Sequence, residues 1–274
     1  MSIKPTDNGR EIPWIDAWAR PVVRLHPSPG KAERSESHLG GPMLWPHDEP
    51  WPHCDGADHV GNYDLTDDQV RGLRTPFAGC AQLYQADFPE LPFPDGTDLL
   101  QVFLCTIEHE DIFGPDARLV WRAASQVTDP LDDQPAPVLV DPRYVFRPCV
   151  FNPCRATQYP RTCELPHELL DELEFLNNDG VDPAGNRSWP TFGDASKIGG
   201  WTRWFAAGPG DSECPECGTL RVQLLALSEH EVECTECDRP ESAHMGWQLL
   251  GGGGALNFLA CPNDVHHPVQ LLLE

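Results

Sequence analysis

The sequence predicts a mainly β protein: a β-rich α+β fold with a duplicated β core and few short helices. Three observations carry that expectation. The 29 prolines and 23 glycines fill about a fifth of the 274 residues, punctuation too dense for long helices. The apolar runs are short and several alternate, at 79–85, 99–105, 118–122, 144–146, 220–227 and 255–260, the period expected of strands. Finally, a set of motifs occurs twice in the same order.

The repeat begins with Ser37-His38-Leu39-Gly40-Gly41 running on to Trp45, which returns as Ser196-Lys197-Ile198-Gly199-Gly200 running on to Trp204. Gln82-Leu83 has a counterpart in Gln223-Leu224, and the run Leu100 to Cys105 one in Leu256 to Cys261. Repeated order of this kind marks a duplicated unit. Paired glycines recur where backbones approach closely or φ is positive, so the two Gly-Gly turns are expected at equivalent places.

Residues 1–34 read as a polar extension with one short helix at Trp14 to Trp18, and 35–164 as the first β repeat. The stretch 165–180 reads as an amphipathic helix bridging the halves. Leu169, Leu170, Leu173 and Leu176 share one face, Pro166 stands near the start, and Asn177, Asn178 and Gly180 lie at the end. Residues 190–274 form the second repeat, with a small zinc-ribbon-like insertion at 214–237, while 128–137 and 178–188 read as exposed loops.

Composition bounds the partners. Forty-three acidic residues against 19 basic ones give a formal charge of −24, which repels a phosphate backbone and argues against nucleic-acid binding. A basic protein partner is favoured instead. No run of about 18 apolar residues occurs, and the opening MSIKPTDNGREIPW has no apolar core behind its charges. These features predict a cytoplasmic protein without a membrane span, monomeric rather than obligately oligomeric.

Eleven cysteines in such a chain point to metal or free thiols more than to disulfides. Cys214-Pro-Glu-Cys217 and Cys234-Thr-Glu-Cys237 form a CxxC…CxxC pair whose spacing suits one structural, tetrahedral Zn2+ held by all four thiolates. Cys149, Cys154 and Cys163 with His167 are a candidate second site, although their spacing fits no familiar pattern. Cys105 and Cys261 each end an apolar run and are followed by His109 and by His266 and His267. A cysteine in that position reads first as a small core residue.

Together, GGPMLWPHDEPWPHC, AQLYQADFPELPFPDGTDLLQVFLC, RLVWR, ASKIGGWTRW and the final GGGGALNFLACPNDVHHP resemble, in that order, the bacterial YwqG-like family, domain of unknown function 1963. The resemblance covers about residues 35–270. It implies a mostly β fold with a duplicated core, no established activity, and for some relatives an immunity or partner role in toxin systems. Here Gly251 to Gly254 replaces the family's Gly-Asp-x-Gly turn, and Cys261-Pro-Asn-Asp264 lacks the second cysteine of its closing CxxC.

No GxSxG elbow, P-loop, HExxH or strand-bound GxGxxG is present, so no catalytic residue is assigned. His53 beside Cys54, and His266 with Asp264, can be drawn as nucleophile and base, but such pairs arise by chance among 11 His and 11 Cys. Glu108, Glu110 and Asp111 around His109 read as a solvated loop. Trp45, Trp51, Trp201 and Trp204 flank the Gly-Gly turns and are either core or the lining of a ligand cleft. The expected function is that of a non-enzymatic, zinc-stabilised binding protein, an immunity-type or accessory partner of a basic protein. The alternatives are a peptide or small-molecule binder using the Trp cleft, or a metal-dependent hydrolase.

Overall fold

The chain is mainly β in a computed structural model that describes residues 4–7, 9–61, 65–110, 114–173, 195–234, 236–239 and 254–274. Its strands are β1 (Thr6–Asp7), β2 (Arg10–Glu11), β3 (Arg20–Arg24), β4 (Ser28–Pro29), β5 (His38–Leu39), β6 (His53–Cys54), β7 (Thr75–Pro76) and β8 (Ala78–Tyr84). They continue as β9 (Leu99–His109), β10 (Gly114–Arg122), β11 (Cys149–Val150), β12 (Cys154–Gln158), β13 (Lys197–Gly199), β14 (Val222–Ser228), β15 (Ala255–Ala260) and β16 (Gln270–Leu273). Two six-stranded antiparallel sheets dominate, ordered β10-β9-β8-β5-β11-β4 and β12-β3-β13-β14-β15-β16.

The main core lies between the two sheets. Leu39, Leu83, Leu100, Val102 and Leu104 of the first sheet share one cluster with Val23, Ile198, Leu225, Leu256 and Phe258 of the second. Because successive side chains of a strand point to opposite faces, the alternate residues Phe103, Cys105 and Ile107 of β9 fill a separate cluster with Trp45, Trp51 and Phe77. Covering on both faces explains why β9 is buried along nearly its whole length.

Each sheet contains a run of four neighbouring strands, β5-β8-β9-β10 and β13-β14-β15-β16, with a bulge at a matching place. The register steps between Gly79 and Ala81 in β8 and between Gln223 and Leu225 in β14. Leu39 opposes Ala81 and Ile198 opposes Leu225, so Leu39 and Ile198 hold matching places just before their glycines. Gln82 opposes Gln101 while Ala226 opposes Asn257. The match of Gln82 with Gln223 expected from sequence is therefore three residues out of register, because a shared Gln-Leu dipeptide carries no information about the bulge. Gly40 and Gly199 both have positive φ, at 64° and 68°, whereas of the second glycines only Gly200 does.

Several sequence expectations are modified. Residues 144–146 do not form a strand. Pro142–Tyr144 is a 3-10 turn whose start is capped by the Asp141 side chain accepting from the Arg143 N–H, and Tyr144 is fully buried. The helix foreseen at 165–180 is a single turn, α2 (His167–Leu170), within the described residues, and 174–180 lie outside them. A further turn, α1, spans Asp67–Val70. The N-terminal helix is the 3-10 segment Ile15–Trp18. Strand β3, within the 1–34 extension, pairs with both β12 and β13 and so belongs to the second sheet. The loop 178–188 and residues 251–253 fall outside the described residues.

Candidate metal centres

Among the described residues, three groups of four side chains each bring their Cys Sγ and His ring nitrogens within 4.8 Å of one another. They are Cys54, His59, Cys105 and His109; Cys214, Cys217, Cys261 and His267; and His26, Cys154, Cys234 and Cys237. The two CxxC knuckles, expected from sequence to share one ion, belong to different groups. Each knuckle supplies two sulfurs, and the chain completes each set from elsewhere.

The first centre is built by a bend in β9. Glu108 opposes Pro115 and Leu104 opposes Ala117, which leaves Cys105 to Ile107 facing the single residue Asp116. An insertion of that kind kinks the strand, and it lets His109 return toward Cys105. A short ladder then sets the loop 58–60 beside 108–110: Val60 N–H donates to Glu108 O, Glu110 N–H donates to Asp58 O, and His59 bridges His109. Gly56, with φ of 74°, makes the preceding turn, where a Cβ would lie 2.7 Å from the His59 Nδ1. Cys54 enters from β6, which pairs antiparallel with β7.

Distances in this centre are 3.3 Å from Cys54 Sγ to His59 Nε2, 3.6 Å to His109 Nε2, and 3.2 Å from His59 Nε2 to Cys105 Sγ. Zn–S bonds of about 2.3 Å and Zn–N bonds of about 2.0–2.1 Å make tetrahedral S···N edges of roughly 3.5 Å and S···S edges of roughly 3.8 Å. The set fits such a shell. His109 Nδ1 lies 2.8 Å from Asp58 Oδ1, the outer-shell carboxylate that fixes a ligating imidazole. The Cys54 thiol is pulled far down by its hydrogen bond to Cys105, helped by His109 and His59, while that same contact and burial push Cys105 up. Burial opposes the charged form of His109, but Cys54 and Asp58 outweigh it and its pKa is raised.

In the second centre, Cys214 and Cys217 turn through Gly218, whose φ is 69° and whose N–H donates to Cys214 O. Cys261 follows directly on β15. Cys217 Sγ is 3.5 Å from Cys261 Sγ, and His267 Nδ1 is 3.5 Å from Cys214 Sγ and 3.4 Å from Cys261 Sγ. Hydrogen bonds from Thr219 lower the exposed Cys217 thiol to about 6, which favours the thiolate a metal needs. The Cys261 thiol is pushed up by burial.

The third centre joins distant parts of the chain. His26 follows β3 with a φ of 41°, Cys154 opens β12, and the 234–237 knuckle closes over both. Arg24 donates to the carbonyls of Val232 and Glu233, tying the knuckle to β3. His26 Nε2 is 3.5 Å from Cys237 Sγ, and its Nδ1 is 3.8 Å from Glu231 Oε2. Burial, with Arg24 and Arg239, lowers His26 to about 4, so the ring is neutral as a ligand must be. Burial raises Glu231 to about 7 and Cys154 to about 12, the latter with help from Cys237.

The other candidates separate. Of the proposed set Cys149, Cys154, Cys163 and His167, only Cys154 joins a centre. Cys149 is in the main core, Cys163 is exposed on a 3-10 turn, and His167 begins α2. Trp45 and Trp51 pack edge to face at 5.5 Å inside the second cluster, and their indoles donate to Glu49 O and Phe77 O. Trp201 is buried against Trp18, with Arg20 over its ring at 3.4 Å, and half-buried Trp204 donates to Glu164. Three of the four rings are core rather than cleft lining. His53 Nδ1 donates to Trp51 O and the residue stands outside the first centre, as His266 stands outside the second.

Sequence reasoning named neither His26 nor His59 as a candidate ligand; Cys105 and Cys261 are buried as it expected, and each also joins a candidate centre. The signal it carried was the pairing of each apolar-run cysteine with a nearby histidine, Cys105 with His109 and Cys261 with His267. No helix among the described residues is long and apolar enough to cross a membrane. Comparison with models of known protein families gives no match, and none of the curated proteins matches the chain.

Proposed function

We propose that this protein is a zinc-stapled β scaffold that works by binding another protein and not by catalysis. The observation that carries the reading is that each centre supplies four protein ligands in tetrahedral reach of one another. Four protein ligands fill the shell of a structural zinc and leave no position for a substrate. Two centres supply three thiolates and one imidazole, the first two of each, all donors suited to a borderline-soft divalent ion. The formal charge of −24 favours a basic partner. The resemblance to the YwqG-like family and the reading of the two four-strand runs as a duplication belong to the same proposal, supported by the matched bulges. The test is metal analysis of purified protein, with three zinc ions per chain expected. A chain that holds no zinc and has all these thiols open to titration in the native state overturns it.

A further inference from the structure

We propose that the acidic pocket over the first centre is the route by which a divalent metal ion enters it, guided by Asp55 and Asp116. The inference rests on the reading of Cys54, His59, Cys105 and His109 as a metal centre. All four of those residues are buried, so an ion needs a path to them. A cavity of about 500 Å3 provides one: Cys54 and His109 line it, together with Asp55, Asp58, Asp116 and Arg118. Three carboxylates against one guanidinium make it attractive to cations.

The three acids divide the work. Asp58 is engaged by His109 Nδ1 at 2.8 Å and holds that ring in place. Among the described residues, Asp55 and Asp116 each accept a local backbone N–H, from Ala57 at 3.2 Å and Ala117 at 2.8 Å. Asp116 is the single residue opposite the bend in β9 that builds the centre, so the kink that brings Cys105 and His109 together also plants a carboxylate beside them. Carboxylate oxygens hold hydrated divalent ions loosely, whereas thiolate and imidazole displace the water and retain the ion. A cleft lined by one sign of charge raises the local ion concentration and the association rate. The pocket therefore collects the ion and the centre keeps it.

Donor chemistry makes the step observable. The first centre has two sulfurs and two nitrogens, the others three sulfurs and one nitrogen, so bound Co2+ absorbs at different energies in the two kinds. Metal-free full-length protein, kept reduced, is mixed rapidly with Co2+ and the two-sulfur band followed. The double variant Asp55→Asn/Asp116→Asn keeps both backbone contacts and removes two charges. It is expected to load this centre roughly tenfold more slowly at low salt, with the same final amplitude and unchanged loading of the three-sulfur centres. Wild-type loading should slow steeply as salt rises, and the variant's much less. Wild-type loading that ignores salt, a variant that loads at the wild-type rate, or one that also loses amplitude would each overturn the guiding role. Absence of the two-sulfur band from the wild type is a separate outcome, which removes the metal reading of the centre itself.

Discussion

Cys105 in the first sheet and Cys261 just past β15 of the second hold matching places, each three residues beyond the position facing the bulge of the neighbouring strand. Val102 opposes Ala81 and Phe258 opposes Leu225, directly after each register step. The strand register thus reproduces the match between the runs ending in Cys105 and Cys261 that the sequence offered. Each cysteine belongs to a separate candidate centre, and each centre includes a histidine further along the same segment.

The division of the knuckles is directly testable. Cys214→Ser and Cys234→Ser are each expected to release one zinc of three, and the double variant two, since they serve different centres. Loss of only one ion from the double variant would mean that the knuckles share it. Cys163→Ser, on an exposed turn outside every centre, should leave the count at three. Native mass spectrometry reads all four.

Metal removal should cost stability unequally by condition. Ligand thiols must be deprotonated, so acid releases the ions and chelators at neutral pH do the same. Chelation is expected to lower the thermal midpoint by more than 10 °C, given that structural zinc contributes on the order of 10 kcal/mol in small modules. Calorimetry with and without chelator measures it.

Paired glycine variants separate close approach from conformational strain. Gly40 has positive φ, and a Cβ there would lie 2.5 Å from Phe146 O, whereas Gly72 has a φ of 77° and nothing within 4 Å. Gly72→Ala should cost about 1–2 kcal/mol, the left-handed strain alone. Gly40→Ala should cost several kcal/mol more or abolish folding, as denaturant titration will record.

Tyr84 supplies a pH test away from the metal centres. Its hydroxyl donates to Arg34 O at 2.6 Å, and burial followed by Asp98 and Asp87 raises its pKa to about 12. A raised folded pKa means that the contribution is full below the unfolded value of about 10 and is lost as pH rises from about 10 to about 12. Tyr84→Phe should lose about 1 kcal/mol at neutral pH and flatten that alkaline decline in equilibrium unfolding.

Trp51 should behave as core. Trp51→Ala is expected to cost about 3–5 kcal/mol, because the ring packs edge to face on Trp45 and Phe103 and its N–H is held by Phe77 O. A stable variant that instead loses partner binding would restore the Trp-cleft alternative.

The strands of the central meanders were legible because their signal is local. β15 has the bounds expected, and β8 differs from its expected span by one residue at each end. β3 and β12 were not legible, since Arg20–Arg24 reads as polar and its burial comes from partners more than a hundred residues away. The candidate metal ligands divide the same way. Spacing announces a knuckle, but which distant residues complete it depends on how the sheets stack. The bend at Cys105 to Ile107 and the left-handed backbone at His26 are three-dimensional facts with no spacing of their own.

The wide reach of the third centre bears on the order in which the protein can be made. His26 lies 211 residues from Cys237 along the chain, and β3 pairs with strands beginning at Cys154 and Lys197. The meander from β8 to β10 has all its residues once Arg122 has left the ribosome, and its contacts are short-range ones that close quickly. The segment at Arg20–Arg24 must wait beside that folded meander, unpaired, until the second sheet is synthesised. The set His26, Cys154, Cys234 and Cys237 is complete only once Cys237 has emerged, so an ion taken up there would fasten this segment late in synthesis rather than early.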